Sequence, residues 1–269
     1  MRRFLPAALL WLAALFATAP GLRAAELLLT LPGGEQRLTP EALLARPDAA
    51  RITVPADVAY HRAMSYRAVP LRALLGPLDG VETLEAKATD GFASQLPAAL
   101  LSGGAEPWLA VEEPGAPWPA LPGKTANAGP FYLVWLRPEQ AGISPEQWPY
   151  ALASLTAVAP PLRRWPSLGV AASLAPDDPA RRGQEVFVTQ CLACHRLAGA
   201  GAAEMGPDLA RPMPALAYMT EPGLRALIRD PKSVRHWPGQ QMPGFSPEVL
   251  PEAELDALIA YLRHQAARN

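Results

Sequence analysis

Two cysteines and one histidine carry the most specific chemical signal in this chain. Cys191, Cys194 and His195 lie in the pentapeptide C-L-A-C-H, which contains both cysteines of the sequence. C-x-x-C-H is the attachment signature of c-type haem. Each thiol can form a thioether with a haem vinyl group, and the adjacent imidazole can bind the iron. The pentapeptide therefore predicts one covalently bound haem c, with His195 as an axial iron ligand.

A C-x-x-C pair also has other interpretations, namely a structural disulfide or a thioredoxin-like redox pair. A redox pair requires a strand that leads into a helix, whereas the residues before Cys191 have a helical pattern. A zinc site would require more ligands, and the sequence has no second cysteine pair. The context of the motif therefore favours haem.

The iron also needs a second axial ligand or an open position. Met242 precedes a proline in a loop that is long enough to wrap around the haem, and Met/His is a common ligand pair. We expect Met242 to be this ligand, with His236 as the alternative. The sequence contains other downstream candidates for the second ligand, and core packing or their position along the chain explains them as well as iron binding does. They are Met205, Met213, Met219 and His264. Three further side chains are expected in the haem environment, as partners of the propionates: Tyr218, Arg235 and Trp237.

Helices are expected to position these residues. Asp178 can cap a helix that has Pro179 at its first position. One face of this helix carries Gly183, Phe187, Cys191 and Cys194. Gly183 is expected to allow the close approach of another helix, and two further helices are expected over residues 220–230 and 251–264.

The first half of the chain has a different pattern. A short helix is expected after the cap Thr39, and another after Pro70. Short strands are expected over residues 26–31, 51–54, 84–89, 131–136 and 155–158. The sequence therefore predicts an α+β protein of two domains. These are a mixed α/β domain (25–165) and a helical domain (179–269), joined by a Pro- and Gly-containing linker (166–178).

Residues 1–24 are expected to be a signal peptide. Arg2 and Arg3 precede an apolar run that is short for a membrane span, and Ala24 suits cleavage nearby. A retained N-terminal anchor is the alternative. We expect export to the bacterial periplasm and no membrane span after cleavage. The formal net charge of −1 argues against nucleic-acid binding through a broad basic surface.

The ordered motifs from about Pro179 to Arg268 resemble those of class I, mono-haem cytochrome c domains. The matching segments are G-Q-E-V-F before C-L-A-C-H, G-P-D-L from Gly206, M-P-G-F from Met242 and A-Y-L within the last helix. The resemblance implies that the carbonyl of Pro207 receives the N–H of His195. It also implies that Tyr261 packs near Gly183, and that the domain transfers electrons.

The first half resembles the sulfite-oxidase-type molybdopterin domain. The resemblance rests on Y-R-A-V-P-L from Tyr66, A-T-D-G-F from Ala88 and G-P-F-Y-L-V from Gly129. Active members of that family bind molybdenum through a cysteine, and this half has none. The resemblance therefore implies a cofactor-free relative that serves in docking or small-molecule binding, with no molybdenum cofactor.

The sequence thus favours a periplasmic electron carrier with one haem, not an enzyme, whose partners are redox proteins. Two protein ligands leave the iron no open position for a substrate. The alternative is a haem-containing subunit or fusion of a sulfite-oxidase-like oxidoreductase, whose first domain acts on a small molecule. A haem-based sensor or assembly factor is a third interpretation. The sequence leaves the oligomeric state and the identity of the partners open.

Overall fold

The computed structural model describes residues 25–268, so the expected signal peptide lies outside the described residues. Residues 25–160 form nine strands and three short α-helices. The strands are β1 (Leu27–Leu31), β2 (Gly34–Leu38), β3 (Ala50–Asp57), β4 (Arg62–Pro70), β5 (Thr83–Ala88), β6 (Ala93–Pro97), β7 (Pro107–Val111), β8 (Phe131–Trp135) and β9 (Leu152–Val158). The helices are α1 (Pro40–Leu44), α2 (Leu71–Leu75) and α3 (Ala98–Ser102).

The strands form two sheets that share one hydrophobic core. The first sheet has the order β2-β1-β9-β5-β6, and the second has the order β3-β4-β7-β8. Only the β1–β9 pair is parallel among these pairs. All five side chains of β8 are buried, because this strand contributes to the core on both of its faces.

A buried carboxylate organises the interior of this domain. Asp57 accepts hydrogen bonds from Tyr66 Oη at 2.8 Å and from Tyr132 Oη at 3.3 Å. The backbone N–H groups of Ala59 and Tyr60 also donate to it, each at 2.9 Å. Burial raises the pKa of Asp57, and these hydrogen bonds oppose the rise. A buried carboxylate needs such donors, since without them its desolvation would cost several kcal/mol.

The chain then becomes helical. After α4 (Pro161–Arg164), the helices are α5 (Pro179–Val186), α6 (Ala215–Tyr218), α7 (Glu221–Arg229), α8 (Pro231–Val234) and α9 (Glu252–Ala266). The Asp178 side chain caps α5 by accepting from Ala180 N, and Thr220 caps α7 in the same way. The helices predicted near 178, 220 and 251 are therefore present, and the protein is of the α+β class.

The core of the second domain is the crossing of α5 and α9. A Cβ atom added to Gly183 would lie 1.9 Å from the carbonyl oxygen of Ala257 and 2.7 Å from Tyr261 Cβ. The rings of Phe187 and Tyr261 lie 5.5 Å apart. Glycine is therefore required at position 183 for α5 and α9 to approach this closely, and Tyr261 packs near it as the resemblance implies.

Residues 166–178, which the sequence predicts to be a linker, pack against α9. The carbonyl of Leu168 accepts hydrogen bonds from Tyr261 Oη at 2.7 Å and from Gln265 Nε2 at 3.1 Å. Ala171 N donates to His264 Nε2 at 3.0 Å. Leu168 itself is fully buried. The segment has no periodic pattern because backbone groups, rather than a repeated apolar face, make many of these contacts.

Within residues 25–268, no helix has the length and apolar character that a membrane span requires.

Candidate cofactor site

The C-L-A-C-H motif lies where α5 changes its winding. Residues Phe187–Cys191 form one π-helical turn, in which Leu192 N donates to Phe187 O at 2.9 Å. His195 N then donates to Cys191 O at 2.8 Å. The expectation of a regular α-helix through Cys194 is therefore wrong. The π turn inserts one residue into the helical repeat and changes the direction of the side chains that follow, as such turns often do at functional sites.

The imidazole of His195 is held on two sides. Its Nδ1 lies 2.9 Å from the carbonyl oxygen of Pro207, which is the contact that the family resemblance implies. A Cβ atom on Gly206 would lie 2.5 Å from the ring, so only glycine leaves room for it. A hydrogen bond at Nδ1 leaves Nε2 as the nitrogen that can bind a metal. Burial lowers the pKa of His195, while the contact with Pro207 opposes this, and the neutral ring is the form that binds iron.

Both cysteines are free thiols and half-buried. Burial raises the pKa of Cys191 to about 12 and that of Cys194 further, so both thiols are protonated at neutral pH. This protonation does not suit a reactive redox pair, which needs a thiolate at neutral pH.

A cavity of about 560 Å³ opens beside Cys194, between the two domains, and Cys191, His195 and Met242 are not among the residues that line it. The second domain lines it with Cys194, Met205, Gln241, Pro243, Gly244, Phe245 and Val249. The first domain lines it with side chains that include His61, Asp90, Phe92, Lys124, Glu146, Trp148 and Tyr150. The volume lies within the range typical of cofactor sites, and the lining is mainly apolar with a few polar groups.

The loop that contains Met242 forms part of the cavity wall. Met242 is half-buried against the core of the second domain, and the residues on either side of it line the cavity. The sulfur of Met205 lies 4.0 Å from that of Cys194, which places Met205 beside the attachment edge. His236 is exposed, and Met213 is 49% exposed. Met219 is half-buried against the core of the second domain.

The side chains expected near the propionates lie at the surface. Tyr218 is 58% exposed and Trp237 is 45% exposed. The guanidinium of Arg235 lies over the Trp237 ring, 5.8 Å from its centroid. These three side chains are not among the residues that line the cavity, and a role at the haem stays a prediction.

The structure identifies two polar residues at the site that the sequence pattern does not indicate. The Glu146 side chain is 9% exposed and lines the cavity, and burial raises its pKa to about 7. In the Met242 loop, the side-chain amide nitrogen and oxygen of Gln240 are both buried without a hydrogen-bond partner, although Gln240 is not among the residues that line the cavity. The two thiols, the oriented imidazole and the methionine loop together fit a haem.

Comparison with known proteins supports this interpretation of the second domain. Residues 180–266 match the family model described as Cytochrome c. A search of curated proteins finds no match to the chain. The matched residues span α5 to the end of α9 and include the motif, Pro207 and the Met242 loop.

Proposed function

Because residues 180–266 match the family model described as Cytochrome c, we propose that the protein is an exported carrier of single electrons. One haem is attached through thioethers to Cys191 and Cys194. His195 and Met242 are its axial iron ligands. The observation that carries this proposal is the fixed imidazole of His195, held by Pro207 and Gly206 and adjacent in sequence to Cys194, which lines the cavity.

The ligand set favours electron transfer over catalysis at the iron. With His195 and Met242 as ligands, the iron would keep no open position for a substrate. The protein then holds the haem, sets its potential and controls its exposure. The Nδ1 contact with Pro207 supports this role, because it fixes the ring and raises its basicity.

The first domain is proposed to be a sulfite-oxidase-like fold without the molybdenum cofactor, used for docking a redox partner or for binding. The absence of cysteine from this half supports that part of the proposal. Residues 1–24 are proposed as the signal peptide that directs the chain to the periplasm.

Attachment and stoichiometry can be tested on the protein purified from the periplasm of a host that matures c-type haem. Haem absorbance that stays with the denatured chain, and is lost in the Cys191→Ala/Cys194→Ala double variant, supports covalent attachment. Iron should be present at about one per chain. A stoichiometric amount of molybdenum would contradict the proposal and favour the oxidoreductase alternative.

Met242 is tested separately by the near-infrared band that arises from charge transfer between methionine sulfur and ferric iron. We expect the oxidised wild-type protein to show this band and Met242→Ala to lose it. His236→Ala is the matched control and should keep the band. If the wild-type protein lacks the band, or His236→Ala alone loses it, the assignment of Met242 is wrong.

A further inference from the structure

The first domain is bonded directly to the segment that carries the cysteines. Ala93 N donates to the carbonyl of Ala193, between the two cysteines, at 2.8 Å. Glu204 N donates to Gly91 O at 3.0 Å, after the motif. Before the motif, the Oγ of Ser144 lies 2.8 Å from Oε1 of Gln190 and can donate to it. These contacts fix the position of the first domain relative to the attachment edge of the haem cavity.

The turn Pro145–Gln147 brings Glu146 into this cavity. Its backbone is rigid, since Ser144 caps the turn and Glu146 O accepts from Ser94 Oγ at 2.8 Å. The adjacent carbonyl of Gln147 accepts from Trp135 Nε1 at 2.8 Å. Glu146 and Cys194 line the same cavity. The carboxyl group is thus held next to the edge through which the haem is attached.

The carboxyl group of Glu146 has no partner that would explain its burial. Among residues 25–268 no hydrogen bond or ion pair to its side chain is observed. By contrast, the buried Asp57 has four donors around it. Neither of the Glu146 oxygens is among the fully buried side-chain atoms that lack a partner, so the carboxyl group reaches the cavity that it lines. No internal contact accounts for its position, which points to a role toward the group bound in the cavity.

We propose that the first domain supplies a proton-binding site for the haem, and that Glu146 takes up a proton when the haem is reduced. This inference rests on the proposed function. A one-electron donor protein loses one electron, which reduces the iron from Fe(III) to Fe(II). The Glu146 carboxylate gains one proton from water and becomes a carboxylic acid. Oxidation of the haem releases the electron and the proton again, and no bond to the iron changes.

The physical basis is the charge that reduction removes. A positive charge at the iron disfavours protonation of a nearby carboxylate, and reduction removes one unit of it. At a separation of about 10 Å and an effective dielectric constant of about 20, one unit charge changes a proton-binding constant roughly tenfold. The raised pKa of Glu146, about 7, places this change in the physiological range.

Other groups that titrate near Glu146 must be distinguished from it. His61, Lys124 and Asp90 also line the cavity. Cys191 and Cys194 lose their titratable protons when they become thioethers. The propionates of the haem titrate as well. Replacement of Glu146 alone separates its contribution from that of these groups.

The experiment is a potentiometric titration of the haem-loaded protein between about pH 5.5 and pH 8.5. As the pH rises over this range, we expect the midpoint potential of the wild-type protein to fall by about 59 mV in total. This fall corresponds to a tenfold change in proton affinity for a one-electron couple. Glu146→Gln should remove most of this fall. Glu139→Gln, which changes an exposed residue of a nearby turn (Pro138–Gln140), is the matched control and should retain it.

A second measurement keeps the inference testable if Glu146→Gln does not fold. Infrared difference spectra of the wild-type protein should show the C=O stretch of a protonated carboxyl group on reduction, with a shift in D₂O. A pH-independent potential, a fall that persists in Glu146→Gln, or the absence of this band would overturn the inference. Each of these results leaves the electron carrier intact, whereas wild-type protein without covalent haem refutes the proposed function itself.

Discussion

Replacement of Gly183 by alanine tests how closely the two helices that hold the haem motif must pack. The added Cβ would lie 1.9 Å from Ala257 O, whereas ordinary van der Waals contact begins at 3.4 Å. The contact is therefore too short by about 1.5 Å. The opposing atom belongs to the backbone of α9, so a change of side-chain rotamer cannot relieve the clash. The helices α5 and α9 must move apart.

The size of the effect follows from what this separation disturbs. A gap of 0.5–1 Å already loses about a quarter to a half of the dispersion energy at a contact, and Phe187 and Tyr261 meet at this interface. We expect a steric cost of about 3 kcal/mol, at the upper end of the range for overpacking. The higher helix propensity of alanine offsets about 1 kcal/mol. The free energy of unfolding should therefore fall by about 2 kcal/mol.

The assay is urea unfolding of the haem-loaded protein, followed by haem absorbance so that it reports on the second domain. We expect Gly183→Ala to have a lower urea concentration at the unfolding midpoint, with an unchanged dependence of the free energy of unfolding on urea. Gly33→Ala is the control, because a Cβ there would meet no atom within 4 Å. If the free energy of unfolding of Gly183→Ala is within about 0.5 kcal/mol of the wild-type value, the close approach of α5 and α9 is not required and the reasoning fails.

Two further variants test the core of the first domain and the imidazole. Tyr66→Phe removes a donor from the buried Asp57 and should lower the free energy of unfolding by about 1–3 kcal/mol; unchanged urea unfolding would contradict the role of that bond. Gly206→Ala should displace the ring of His195 from Pro207 and weaken its bond to iron, since loss of such a supporting contact typically costs 10–100-fold in metal affinity. We expect the reduced variant to bind carbon monoxide more readily than the wild-type protein, and equal binding would argue against the displacement.

The second domain could be predicted from sequence in more detail than the first. Asp178 and Thr220 cap their helices as predicted, because capping depends on local residues alone. Gly183 and the carbonyl of Pro207 lie where the helical pattern and the resemblance place them. The π turn at Phe187–Cys191 was not predictable from periodicity, since it keeps a helical composition while it changes the winding.

In the first domain, several short strands were predicted at the positions where the structure has them. Their assembly into two sheets was not predicted. The residues of β4 and β7 pair across long sequence separations, which local patterns do not encode. The position of Glu146 was also hidden. In sequence it is one acid among many, and only the folded protein shows that it is buried at the cavity. Residues 166–178 were predicted as a linker, but they pack against α9. The sequence pattern did not indicate this, because the contacts with α9 involve backbone groups that are distant in sequence.

The hydrogen bond between Ala93 and Ala193 bears on when haem can be attached to the protein. Ala193 lies between the two cysteines, is 2% exposed and accepts a hydrogen bond from the first domain. An enzyme that joins haem to these thiols must reach them before the two domains close. On the proposed function, we expect haem attachment to precede the docking of the two domains.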